Sequence, residues 1–340
     1  MGCVKTFSLV SRRGYSSLSL TIARALLLSV AALACITALG DNGVSEGILA
    51  ALSLSEGPIS IIQADYHVTW NMVRGKPESS PGRLDQEGTY GYKQGKAYLS
   101  RYSYAYLEDG KPDVTFDQFY AFDGNVLRTL DKSLHNRRPS GFIDALEDEI
   151  NMDLTPHTLL GRAIIPRGMR NLAELVAECK DRLHILENNL DISGQSCTLL
   201  EVIVPISVIG GAADESVDMT ARIWVAPLRD YRMLKVEMYK SLEVQRKFLR
   251  YVIDAVELAQ TGGAWLPVKA RQTWYSDAPR PSGENDGDPI HMSARQTIEI
   301  SQWYLPADIE DSKFTVEYPD GALVYDARKR DSAPAKRMKP

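Results

Sequence analysis

The side chains in this sequence that could do covalent or acid–base chemistry are few and dispersed. Its five histidines, His67, His135, His157, His184 and His291, share no short metal-ligand spacing. The segment "GQSC" (194–197) comes nearest to a nucleophile motif, but Ser196 and Cys197 lead into the strand-like "CTLLEVIV" rather than a helix. "ENDGD" (284–288) clusters oxygen ligands without the spacing or the closing glutamate of a calcium loop. The densest carboxylate group is Glu147, Asp148 and Glu149, on what reads as a solvated helix face. Glu201, Glu237, Glu257 and Glu299 fall inside strands, where the polar face of an antiparallel sheet carries such residues. Glycosidase chemistry needs two of them to converge across a cleft. No phosphate-binding glycine loop, G-x-S-x-G, H-E-x-x-H or C-x-x-C occurs. The pattern implies no cofactor, no metal and a protein that is not an enzyme.

The elements that would position any site are mostly strands. "DYHVTWNM" (65–72) alternates Tyr66, Val68, Trp70 and Met72 with Asp65, His67, Thr69 and Asn71, the period of a half-buried strand. "YLSRYSYAY" (98–106) sets Tyr98, Tyr102, Tyr104 and Tyr106 on one face, opposite Leu99, Arg101 and Ala105. Asp-Gly and Gly-Gly pairs at 109, 123, 262 and 320 supply hairpin turns, which force antiparallel neighbours. About eleven to thirteen strands are expected, the last a strand or hairpin over 313–326. Helical spacing appears at 45–54, where Ser45 is a candidate cap, and in an insertion over 139–180. There "PSGFIDALEDEI", "TPHTLLGRAI" and "GMRNLAELVAEC" each read as helix. Two blocks of strands with helices segregated between them make an α+β fold.

Charge and export signals narrow the setting. The chain has 340 residues and a net charge of −5. Its first forty residues hold Lys5, Arg12, Arg13 and Arg24 but no acid, so the remainder carries 35 basic against 44 acidic groups. An acidic body does not suit nucleic acid as a partner. The basic start precedes "ALLLSVAALACITALG" (25–40), too short for a comfortable membrane span, and Ala38-Leu39-Gly40 matches a signal-peptidase site. Residues 1–40 therefore read as a signal peptide of an exported, periplasmic protein. Ala32-Leu33-Ala34-Cys35 also reads as a lipobox, so lipid anchoring through Cys35 stands as the alternative. Cleavage after Gly40 leaves Cys179 and Cys197, as a disulfide in an oxidising compartment or as two separate buried thiols. The basic tail 328–340 reads as a flexible end, with peripheral contact to an anionic membrane as its functional alternative.

Several segments together resemble the lipoprotein-carrier superfamily, the LolA/LolB-like proteins of outer-membrane lipoprotein sorting. "SGQSCTLLEV" (193–202) resembles a strand entry of that group. "RIWVAPLRDYRMLKVEMY" (222–239) resembles its W-V-D-P hairpin, with Ala226 where aspartate is usual. "GGAWLPVKARQTWY" (262–275) resembles its G-x-W-L-P strand, and "FTVEYPDGALVYD" (314–326) its closing hairpin. The resemblance implies a strongly curved antiparallel half-barrel with helices covering its concave face, over a single domain 41–327. It also implies a cavity for a lipid, a lipoprotein acyl chain or another apolar ligand, and an envelope protein as a possible partner. Candidate lining residues are Trp70, Tyr102, Tyr104, Trp224, Leu234, Trp265 and Trp274, with Arg101 as the candidate for the group's functional arginine. Two other functions stand beside this carrier or sensor: an envelope structural module with a filled core, and a carboxylate hydrolase.

Overall fold

A computed structural model describes residues 41–56, 59–72, 83–106, 112–132, 138–144, 154–162, 172–207, 216–276, 291–326 and 336–337. Residues 1–40, read above as a signal peptide, with Cys35, and also "ENDGD", Glu147 to Glu149 and most of the basic tail lie outside those residues. The chain divides into two units, 1–51 and 52–340, with the division inside helix α1 (Asp41–Glu56). Ser45 lies within that helix, which begins four residues earlier than its capping pattern suggests. Among the described residues, no helix is long and apolar enough to cross a membrane.

The second unit is one large, predominantly antiparallel sheet that is not closed. Strands β1 (Ile61–Met72), β2 (Arg83–Lys93), β3 (Lys96–Tyr106), β4 (Pro112–Phe122), β5 (Leu127–Asp131) and β6 (Ser140–Asp144) run outward from the middle as a meander. Strands β7 (Leu183–Ile192), β8 (Gln195–Ser207), β9 (Ser216–Ala226) and β10 (Arg232–Tyr239) start a second meander from the opposite edge. It continues through β11 (Leu249–Thr261), β12 (Ala264–Ser276) and β13 (His291–Tyr304). The two meanders join where β13 pairs with β1. The short β14 (Leu323–Asp326) adds in parallel to β6, and β15 (Lys336–Arg337) pairs with β14.

Helices are short and few in this unit. Thr155 caps α2 (Pro156–Leu159) by accepting a hydrogen bond from Thr158 N–H, and Pro156 supplies a first-turn residue that has no N–H to satisfy. Helix α3 (Leu172–Glu178) precedes β7. Two expectations are corrected. "SGFID" (140–144) is strand, not helix, because the edge of the meander offers its backbone partners on both sides, β5 and β14. The stretch 313–326 is not a hairpin: Asp311–Phe314 form a 3-10 turn, and only Leu323–Asp326 pair with the sheet.

Antiparallel partners directly opposite one another share a face, so register sorts the side chains. One face, called front here, carries Ile62, Ala64, Tyr66, Val68 and Trp70 of β1. The back face carries Ile61 and Gln63 with Tyr98, and it has its own apolar cluster. Tyr98, Ile309 and Phe314 are buried together there, with Ile61 and Phe119 packed against them. The chain after β13 returns to build that cluster. Lys93 ties it down, donating to Ile309 C=O and pairing with Asp308 and Asp311. Gly91 makes the close approach possible, since a Cβ there would collide with the Tyr98 ring. Phe314 is fully buried and meets Tyr98 edge-on at 5.9 Å between centroids. Phe314→Ala is expected to cost about 3–5 kcal/mol, read as a lowered urea midpoint with an unchanged m-value.

Candidate functional site

The front face at the join of the two meanders is where buried polar chemistry collects. Residues 154–162 lie on it. Leu154 N–H donates to Gln296 Oε1 of β13 (2.9 Å), His157 Nδ1 meets the Tyr90 hydroxyl of β2 (2.8 Å), and Arg162 donates to Ile59 C=O (3.1 Å). The Arg162 guanidinium also stacks over Tyr92 at 3.6 Å. Leu154 to Arg162 are all buried, so these nine residues form an interior layer rather than a surface loop.

Further along the strands the front face carries a lane of polar side chains whose buried atoms have no hydrogen-bond partner. Trp70 stands directly opposite Gln296, and Gln296 directly opposite Gln272. Trp274 is two residues along β12 on the same face. Trp70 Nε1, Trp274 Nε1, Gln296 Nε2 and Gln272 Oε1 are all buried and unpaired. Gln296 is fully buried and Gln272 is 3% exposed. Ser103 Oγ, opposite Gln86 on β3 and β2, is unpaired on the same face. An unpaired buried polar group costs about 1–3 kcal/mol, so four adjacent ones form a large local deficit. Other unpaired atoms include Thr220 Oγ1, Gln195 Oε1, His157 Nε2 on the front face and, on the back, Nε of Arg295, the residue before Gln296.

From the lane, two apolar rows run across the strands. One passes from Gln272 to Ile253, Val236, Ile223 and Leu200, the other from Trp274 to Tyr251, Met238, Ala221 and Val202. All eight of these apolar residues are buried. The Tyr251 ring packs on Trp274 at 5.0 Å, and burial raises the Tyr251 pKa, holding it neutral. A second polar region lies over β4 to β6. A cleft of about 260 Å³ is lined there by Gln118, Tyr120, Thr129, Asp131 and Phe142, among others. Arg101 borders it, donating to Gln118 Oε1 (2.8 Å) and the Tyr120 hydroxyl (2.6 Å).

The residues named from the sequence are dispersed by this arrangement. Trp70, Arg101 and Trp274 are on the front face, and Trp70 and Trp274 belong to the unpaired lane. Tyr102 and Tyr104 are on the back, opposite Glu87 and Asp85, packed edge-on against each other at 4.8 Å. Trp224 is also on the back, under the Lys235 ammonium at 4.5 Å, beside the buried cluster of Cys197, Ala226 and Leu234. Trp265 stacks on Arg229 at 3.5 Å, at the β9–β10 turn. Its backbone N–H is held by Asp230 Oδ2. Cys179 and Cys197 are both free and buried, so the disulfide considered from the sequence is not formed: Cys179 ends α3, while Cys197 packs in the back-face cluster.

Gln272 and Gln296 were missed because a lone glutamine in a strand reads as a solvent-facing residue. Their parity was the available signal: Gln272 alternates in step with Ala270 and Trp274, and Gln296 with Ala294 and Ile298. The four strand carboxylates are on the back face, where three are engaged and Glu257 is exposed. Glu201 accepts from Arg222 (2.7 Å), Glu237 from Tyr239 (2.7 Å) and Glu299 from Lys269 (2.6 Å). Among the described residues, no three metal-ligating side chains gather.

His157 gives the site a pH signature. Burial, and secondarily the Arg162 charge, lower its pKa to about 3, from an ordinary 6.5. The folded protein thus holds His157 neutral where the unfolded chain would protonate it. Stability from this group is complete above about pH 6.5 and is lost as pH falls toward 3. Between pH 6.5 and 5 the loss is about 2 kcal/mol. His157→Gln, which keeps a partner for Tyr90, is expected to flatten that part of the stability–pH curve measured by urea unfolding.

No protein-family model matches the chain, and no curated protein matches it.

Proposed function

We propose that this chain is an exported, non-enzymatic binding protein that holds a lipid, an acyl chain or another apolar ligand on the front face of its sheet, as a carrier or sensor. The observation that carries this reading is the pair of apolar rows from β11 to β8 that end at buried, unpaired polar groups. A fully apolar core would need no polar lane. A chain-bearing ligand with a polar end uses both parts. Across the four strand gaps from β12 to β8 the rows extend about 19 Å.

The form of the sheet supports the same reading. A twisted open sheet wider than about ten strands curls or splits. Register shifts at Asp65/Tyr66, Met233/Lys235, Asp254/Glu257 and Trp274/Tyr275 are the bulges that add bend. A sheet curved toward the front, with residues 154–162 and α3 covering its concave side, is the half-barrel that the sequence resemblance implies. The engaged back-face carboxylates support a role without acid–base catalysis.

One observation favours a second reading, an envelope structural module with a filled core. The cavity beside Leu52, Leu172, Ala173 and Met233 is only about 10 Å³, room for a single water. Tryptophan quenching separates the two. An acyl chain brominated near its ester should quench the emission of the full chain saturably, and Trp70→Phe with Trp274→Phe should remove most of that quenching. No quenching, with no uptake of the chain, would favour the filled module.

A further inference from the structure

We infer that the Trp70–Gln296–Gln272–Trp274 lane is a head-group site selective for an uncharged acyl ester that carries a free hydroxyl, such as a glyceride, over a carboxylate or phosphate. This rests on the front-face binding reading and adds the chemistry of the ligand's polar end. The three donors are fixed by covalent chemistry and by one hydrogen bond. Indole Nε1 can only donate, so Trp70 and Trp274 each present an N–H. Gln296 is oriented by the Leu154 N–H, which must meet its oxygen, so its unpaired Nε2 is a third donor. The Gln272 amide, directly opposite, turns its Oε1 into the lane, an acceptor that a ligand hydroxyl would meet.

That pattern distinguishes ligand classes. An ester carbonyl and glycerol oxygens accept from the three N–H groups, while a glycerol hydroxyl donates to Gln272 Oε1. A carboxylate or phosphate offers acceptors alone and would face the Gln272 oxygen with like partial charge. It would also be buried without a cation. On the front-face rows that contain the lane, from Trp70, Gln296, Gln272 and Ile253 to Trp274 and Tyr251, no described residue is charged. Arg295, Arg271 and Lys269, the cations of the neighbouring positions, alternate to the back, where Arg271 pairs with Asp254 and Lys269 with Glu299. Burying an anion with no opposite charge is strongly unfavourable. The neutral ester is the class that satisfies all four atoms and leaves no charge unpaired.

The test is calorimetric titration of the full chain, near neutral pH, with monohexadecanoylglycerol, hexadecanoic acid and hexadecanoyl lysophosphatidate, which share one chain and differ in the head. The glyceride is expected to bind at least about tenfold tighter than either anion. Trp274→Phe and Gln272→Met are each expected to weaken glyceride binding about tenfold and to leave hexadecanoic acid unchanged. Because each removes an unpaired polar atom, both variants should be at least as resistant to urea as the parent protein. That stability readout separates loss of recognition from loss of fold. Equal binding of all three ligands, or equal losses for all three in the variants, would overturn the head-group inference and leave the binding reading standing. So would a structure of the loaded protein with only water at the four atoms. Binding of none of the three would overturn both.

Discussion

The pairing of β1 with β13 is the constraint on which the rest of the structure depends. Each meander is built from neighbours in sequence, but their union is a contact between residues more than 220 positions apart, from Gln63 opposite Tyr304 to Met72 opposite Ala294. A slip of one residue would turn every β13 side chain to the other face. Gln296 would then leave the front, Leu154 would lose its acceptor, and Trp303, now buried with its indole N–H on Pro267 C=O, would face the opposite way. The bulge at Asp65/Tyr66 keeps both ends of this long pairing in step with their faces.

The connection from β6 to β7 uses that seam as its anchor. Residues 154–162 reach β13 through Leu154, β2 through His157 and Tyr90, and the start of β1 through Arg162 and Ile59. Leu154 N–H and His157 Nδ1 find partners there and the Arg162 guanidinium lies flat on Tyr92, while His157 Nε2 is buried without one. At the other end, the Trp70–Gln296–Gln272–Trp274 lane is not satisfied. The proposed ligand rests on the four adjacent polar atoms of the lane, which lie side by side across three strands.

Much of the sheet could be read from the chain, because strict alternation such as Tyr66, Val68, Trp70 against Asp65, His67, Thr69 survives in the folded register. Thr155-Pro156 likewise marked a helix start that the structure has. The strand "SGFID" read as helix because five residues next to an acidic, leucine-containing run carry helical spacing, and only the edge of a distant meander decides otherwise. Aromatic content alone does not tell the two faces apart. Tyr102, Tyr104 and Trp224 are as aromatic as Trp70, but register puts them on the back, and register across the seam is a non-local property. The glutamines were visible only through their parity with apolar neighbours.

The central claim, that the front face takes an amphiphile, is tested most directly by native mass spectrometry of the full chain purified without detergent exchange, before and after organic extraction. The account predicts an adduct at near one-to-one stoichiometry that disappears on extraction and is recovered as a neutral acyl ester. A bare polypeptide mass in both samples, with no acyl ester in the extract, would contradict it.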